Sequence, residues 1–322
     1  MTKVGALATM VSSPLPGCRE PAMAGFDYRT AFTRNVGWVT EEELQRLRRA
    51  RVAIAGLGGV GGAHLLTLAR LGVGAFHISD FDHFELHNMN RQAGACMSRL
   101  GQPKVEVLAE MARDINPELD LTLFPEGVGR GNLADFLDGV DVYVDGLDFF
   151  AFEARRQVFA EVARRGIPAV TVAPLGMGGA LLNFDPQGMS FDAYFDLRDG
   201  LSDEDLALRF MMGLAPAMLH MGYLADAAAV DLGAQRGPST PMACDLCAGI
   251  MGTEVLKILL GRGRVVWAPR GMHFDAYRQR LAHTWRPGGN RNPLQRLLMA
   301  IARRRLAKLR TAQRPAQTGG AR

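Results

Sequence analysis

Arg51-Val-Ala-Ile-Ala-Gly-Leu-Gly-Gly-Val-Gly-Gly62 is the stretch whose reading decides the fold. Its first five residues form a short run of β-branched and small apolar side chains, as in a strand buried on both faces of a parallel sheet. Gly56, Gly58, Gly59 and Gly61 then permit positive φ and let a ligand approach backbone that any Cβ would shield. Leu65, Leu68 and Ala69 follow at helical spacing, which predicts a helix over 63–71 with its free N–H groups aimed at the turn. A second strand is expected over 75–79. It ends at Asp80, 24 positions after Gly56, about where a strand–turn–helix–strand unit puts the acid that binds a ribose hydroxyl. On these residues alone NAD, FAD and ATP all remain candidates. A tight turn with no ligand is the bland alternative, and four glycines make it a costly one.

The next polar residues narrow the choice. Asp80-Phe-Asp82, Asn88-Met-Asn-Arg91-Gln92, Gly101-Gln-Pro-Lys104 and Asp145-Gly-Leu-Asp148 follow the turn in that order. With Gly56, Gly58, Gly59 and Gly61, they make the chain similar to the E1-like ThiF/MoeB/HesA superfamily of ATP-dependent adenylating enzymes. That family's pattern is Gly-x-Gly-Gly-x-Gly, Asp-x-Asp, Asn-x-x-Arg-Gln, Gly-x-x-Lys and Asp-x-x-Asp. The resemblance covers about residues 30–185 well and the remainder loosely, and five ordered motifs are far more specific than one glycine turn.

The resemblance implies a Rossmann-like α/β fold, with a mostly parallel sheet, flanking helices and a crossover insertion. It implies ATP and Mg²⁺ as cofactors, and an activity that adenylates a carboxylate and releases pyrophosphate. Arg91, Lys104 and Asp148 become the candidate catalytic residues, with Asp148 the magnesium ligand. Gly56, Gly58, Gly59, Gly61, Asp80, Asp82, Asn88 and Gln92 become the nucleotide-binding set. Arg34 is a candidate for an arginine that reaches a partner's nucleotide across a homodimer interface, weighed against a plain surface arginine. Two departures stand out: Phe149 where the family has Asn, and a partial match around Arg34.

Each residue type also has its own chemical logic. Arg91 offers a planar fork of donors to phosphate oxygens, with Asn88 a neutral donor beside it. Lys104 follows Pro103, and a cation in a first helical turn opposes the helix dipole unless an anion lies in front of it. Its alternative is a solvated surface lysine. Asp148 follows a strand expected over 140–144 and precedes a helix expected over 149–165. It reads either as a helix N-cap or as a metal ligand at the carboxyl end of a strand.

At 322 residues, 48% hydrophobic and 22% charged, the chain is long enough for one α/β domain with additions. No apolar run approaches ~18 residues, so no transmembrane helix is expected. Leu15-Pro-Gly-Cys18 only faintly suggests a lipoprotein cleavage site. Four cysteines without framework spacing suit a reducing, cytoplasmic setting. The net charge of +4 conceals a split: residues 286–322 hold ten Lys/Arg and no Asp/Glu, leaving the remainder at −6. A helix is expected over 292–309, with Leu294, Leu297, Leu298, Ile301 and Leu306 near helical spacing. Membrane or nucleic-acid contact through it is less favoured than docking on the protein, followed by a disordered end over 311–322.

The expected organisation is an N-terminal arm (1–40), an ATP-binding half (41–175), a crossover and substrate-binding part of the same domain (176–285), and a basic extension (286–322). Within the third part, residues 177–183 read as a strand, 185–188 as a turn, 190–205 as a loop and 210–223 as a helix broken near Pro216. Met211, Met212, Met218 and Met221 read as core more than as a peptide groove. Residues 233–241 read as a linker, and 265–269 with 273–276 as a closing β pair.

Cysteine placement bears on mechanism. Many members of the resembled family carry a catalytic cysteine on the crossover segment, and this chain has none between Cys96 and Cys244. Cys244 and Cys247 form one Cys-x-x-Cys pair where a structural zinc needs four ligands, so no zinc is expected and both read as packed helix residues. Cys96 reads as packing rather than as a reactive thiol. The chain then stops at the acyl-adenylate of a peptide or small carrier protein's C-terminus, or of a small-molecule or tRNA-borne carboxylate. The competing readings are a non-catalytic partner subunit of a heterodimer and an NAD(P)-dependent oxidoreductase.

Overall fold

The computed structural model describes residues 25–226, 229–230 and 237–313. The segment around Cys18, residues 233–236 of the expected linker, and the chain beyond 313 lie outside the described residues. Eight strands form one sheet: β1 Arg51–Ala55, β2 Ala75–Ser79, β3 Asp120–Phe124, β4 Val142–Asp145, β5 Ala169–Leu175, β6 Gly178–Phe184, β7 Arg270–Asp275 and β8 Arg280–Trp285. Their order is β3-β2-β1-β4-β5-β6-β7-β8. The first five pair in parallel and the last three antiparallel. Strand order therefore reverses between β1 and β4, and a crevice opens outside their carboxyl ends.

Alternation along the strands sorts the core. Val52 and Ile54 of β1 join one apolar cluster while Ala53 and Ala55 join the other, as period-2 side chains must. On the first face lie α3 (Gly61–Leu71), α4 (Lys104–Ile115) and α9 (Pro241–Leu260), through Leu65, Leu108 and Met251. On the second lie α5 (Leu133–Phe136), α6 (Phe152–Arg165), α7 (Phe191–Phe195) and α8 (Asp203–Leu214), through Phe136, Phe159, Tyr194 and Phe210. At the N-terminal side, α1 (Tyr28–Ala31) and α2 (Glu41–Arg49) form a small satellite core with Leu260. α2 begins in a Thr40/Glu43 capping box with acids in its first turn and arginines in its last, matching its dipole. α10 (Pro293–Gln313) ends the described chain.

Several expectations need correction. Residues 190–205 are loop only over 196–202: Ser190 caps α7, Phe191, Tyr194 and Phe195 are buried, and α8 takes 203–205. The helix expected over 210–223 is α8, which starts seven residues earlier at Asp203 and stops at Leu214. A 3-10 turn, Leu219–Tyr223, takes the rest. The four methionines divide, with Met212 buried but Met218 and Met221 exposed. The closing hairpin is β7–β8. Residues 265–269 contribute only a single bridge, from Trp267 to Asn183. Cys96 is exposed rather than packed. Among the described residues no helix is long and apolar enough to cross a membrane.

Candidate nucleotide site

The glycine turn divides by task. Gly56 has φ +82°, and its amide bonds to Ser79 O at 2.8 Å. A Cβ on Gly61 would overlap the Gly56 carbonyl oxygen, and a Cβ on Gly56 would overlap the carbonyl of Gly146. These glycines therefore pack backbone on backbone, joining the end of β1 to the end of β4, where the Gly146 amide reaches Ala55 O at 2.9 Å. Gly58 and Gly59 face outward. A Cβ on Gly58 would have only Gln92 Nε2 nearby, at 3.8 Å, and one on Gly59 would meet Cys244 Sγ and Arg91 Nε. Close approach by a ligand is thus possible at Gly58 and Gly59.

The polar residues gather around this turn. Asp80 accepts the Leu57 amide at 2.6 Å and the Asp82 amide at 2.8 Å, so it braces the turn. Burial pushes its carboxyl above the usual range, and those two amides pull the other way. Lys104 opens α4 and is almost fully buried, with Nζ 2.9 Å from the half-exposed carboxylate of Asp82. Arg91 donates to His87 O and Asn90 Oδ1, neither of them a carboxylate. Asn88 is buried and its Oδ1 accepts the Glu85 amide at 2.9 Å, which shapes the loop that presents Arg91. Gln92 is also buried, and its Oε1 has no partner among the described residues.

Asp148 lies in the β4–α6 loop, which touches the turn through Leu147 and Gly146. It is exposed, and its Oδ1 accepts the Phe150 amide at 3.0 Å. It is not a helix cap, because α6 starts at Phe152 with Ala151 at the cap. Its backbone is fixed by Arg155, which sequence reading passed over. Arg155 Nη2 donates to Leu147 O at 2.7 Å and Asp148 O at 2.9 Å, while Nε pairs with buried Asp145 at 2.9 Å. Gly146 was likewise unremarked as a site residue. No local pattern announces either, since both act through the distant side of the turn.

Arg34 is not brought to this site within one chain. It is exposed in the 3-10 turn Thr33–Asn35, and Asn35 Nδ2 bonds to Arg70 O and Leu71 O at the far end of α3. Eleven residues of helix separate that end from the glycines, roughly 16 Å. Cys244 arrives instead, in the first turn of α9 beside Gly59. Burial pushes its thiol up, with Ser239 and Arg91 acting in the opposite direction. Cys247 is buried on the same helix.

The groups present fit a bound nucleoside triphosphate: an open backbone cradle at Gly58 and Gly59, a guanidinium with no carboxylate partner among the described residues, and Gln92 Oε1 as an unpartnered acceptor for a hydroxyl or amino donor of the nucleoside. For magnesium the donor set is one exposed carboxylate, Asp148. No cluster of three His, Cys, Asp or Glu stands among the described residues. That suits an ion whose other ligands are phosphate oxygens and waters.

Residues 32–297 match the model of the ThiF family. Over 141 residues the chain is 33% identical to a tRNA threonylcarbamoyladenosine dehydratase of Bacillus subtilis, covering 44% of this chain and 55% of that protein. Over 259 residues it is 29% identical to a probable adenylyltransferase/sulfurtransferase MoeZ of Mycobacterium tuberculosis, covering 80% and 60%. The matched parts thus span a little over half the length of these curated relatives. The crystal structure of the Escherichia coli tRNA threonylcarbamoyladenosine dehydratase in complex with ATP superposes with a TM-score of 0.54 at 23% identity, covering 72% of this chain and 95% of that one.

Proposed function

The chain belongs to the ThiF family, and from that premise we propose that it activates a carboxylate with ATP, forming an acyl-adenylate and releasing pyrophosphate. What supports this is the meeting of the glycine turn, Arg91 and the Asp148 loop at the β1/β4 crevice, with Lys104 tied in through Asp80 and Asp82. A carboxylate oxygen of the substrate attacks the α-phosphorus, and the bond from that phosphorus to the pyrophosphate oxygen breaks. Little covalent work falls to the protein, so catalysis is positioning and charge neutralisation.

Arg91 and Lys104 would hold phosphate oxygens. Lys104 keeps Asp82 as it does so, because an ammonium has three donors. Asn88 and Gln92 position that segment, Gly58 and Gly59 admit the phosphates, and Asp80 with Asp82 faces the ribose side. Asp148 would hold Mg²⁺, which supplies further charge neutralisation on the departing pyrophosphate. No cysteine lies between Cys96 and Cys244, and both Cys244 and Cys247 are buried thiols held protonated. Cys96 is exposed but lies outside the crossover segment, so we assign attack on the mixed anhydride to a separate amine, thiol or persulfide.

The substrate class we favour is a peptide or small-carrier C-terminus, or a carboxylate on a small molecule or tRNA. The names of the two curated relatives, one tRNA-directed and one an adenylyltransferase/sulfurtransferase, support that range. We read residues 41–175 as the nucleotide half and 176–285 as the part that shapes the acyl site. The working unit is a homodimer in which Arg34 serves the partner's nucleotide.

The test is substrate-dependent ATP–pyrophosphate exchange across a carboxylate library, with the acyl-AMP trapped and weighed. Arg91→Ala or Asp148→Asn should abolish exchange while the far-UV spectrum and melting temperature hold. Tight NADH binding with no ATP binding would sink this reading. ATP binding without exchange for any carboxylate would favour a non-catalytic partner subunit.

A further inference from the structure

The C-terminal helix carries two apolar faces, and the described fold covers one of them. α10 turns Gln295 and Met299 inward, with Met299 packed against Leu208 and Met212 of α8. On its other side Leu294, Leu297 and Ile301 stand 60%, 58% and 40% exposed. Their spacing of three and four puts them on one stripe of the helix. Arg304, three residues after Ile301, continues that stripe and is exposed. Asp205 of α8 lies behind α10, where it pairs with Arg303 at 2.6 Å. From Arg286 onward the sequence has ten Lys/Arg and no acid of its own; of these Arg286 is buried and Arg303 is paired with Asp205, while Arg291, Arg296 and Arg304 are exposed.

We propose that this face of α10 rests on an anionic lipid bilayer, with the Leu294–Leu297–Ile301 stripe in the interface and the surrounding arginines on lipid phosphates. Charge complementarity selects the anionic surface. The stripe selects lipid over nucleic acid, which would use the cations yet gain nothing from three exposed aliphatic side chains. Three apolar residues alone hold a helix weakly, so attachment needs both terms and is reversible and salt-sensitive. None of the nucleotide-site residues belongs to α10, so this inference is independent of the adenylation reading.

Co-sedimentation of the full chain with vesicles tests it, using mixed phosphatidylglycerol/phosphatidylcholine against phosphatidylcholine alone. The expected result is binding to the anionic vesicles only, reversed by high salt. Leu297→Glu should weaken partitioning about tenfold, the factor for keeping one leucine out of an apolar phase, with melting temperature and solution mass unchanged. Arg304→Glu should weaken it also, while Leu281→Glu, on the exposed edge of β8, should not. The proposal is overturned if the anionic vesicles leave the protein in the supernatant, or if Leu297→Glu binds them as the parent does. It is equally overturned if Leu297→Glu changes the solution mass, which would make the stripe a protein–protein face, or if tRNA is bound through these cations while vesicles are ignored.

Discussion

Alanine at Gly61 would drive its Cβ into the Gly56 carbonyl oxygen, whereas alanine at Gly58 meets only open space and the Gln92 amide. Gly61→Ala should therefore cost about 2–3 kcal/mol in urea unfolding. Gly58→Ala should unfold like the parent but bind ATP about tenfold more weakly by calorimetry, because the added methyl stands where phosphates approach. His64 gives a pH signature. It is fully buried with both ring nitrogens unpartnered among the described residues, and burial lowers its pKa from 6.5 to about 3. The folded state thus keeps it neutral while the unfolded chain protonates below 6.5, so stability is complete above that pH and is lost as pH falls toward 3. At pH 5 the loss from this residue is about 2 kcal/mol, and His64→Leu should flatten the stability–pH curve between 6.5 and 4. The glycines were legible in the sequence because their constraint is local. Gly146 was not, because its constraint is a strand 90 residues away, at Gly56.

The loop from β4 to α6 is held by one side chain. Arg155 is buried, pairs with buried Asp145, and takes three loop carbonyls while its guanidinium lies 4.7 Å over the Phe210 ring. Arg155→Ala leaves Asp145 charged, buried and without its guanidinium, at a cost of about 3–5 kcal/mol. The Asp145→Asn/Arg155→Met pair should recover part of that stability by chemical denaturation, yet leave the Asp148 loop loose and nucleotide affinity low. Elements were readable where the signal was periodic and local, as in β1, α3 and α9. They were misread where tertiary burial overrode it. The run 190–205 looks like loop because its aromatics are interleaved with acids, but α7 turns Phe191, Tyr194 and Phe195 into the core and leaves Asp192 to pair with Arg156. Residues 265–269 look like a strand because they are β-branched and aromatic, yet β7 begins only at Arg270 and its ladder to β6 only at Met272. Cys96 looked like packing because small apolar residues precede it, and nothing in its neighbours' chemistry marks that turn as exposed.

At the scale of the molecule, the homodimer proposed above, in which Arg34 serves the partner's nucleotide, makes a prediction about mixtures. Arg34→Ala and Asp148→Asn should each be inactive in pyrophosphate exchange. Mixed after denaturation and joint refolding, they should regain roughly a quarter of parental activity, because half of the pairs are mixed and each of those has one whole site. No recovery would assign Arg34 to the surface of its own chain. The sheet itself sets a limit on how the site responds. Gly56, Gly61 and Gly146 touch backbone to backbone, so the ends of the first and fourth strands form one inflexible floor. That floor has no slack in which to open or close. Adjustment to a nucleotide falls to the opposite wall, where Arg91 is held by one carbonyl and one amide oxygen and Lys104 by one half-exposed carboxylate. In hydrogen exchange the Gly146 amide should stay equally protected with and without ATP, while the amides of residues 88–92 slow on binding. The crevice then works as a fixed bed with one moving jaw, and the jaw is the segment that carries the charge.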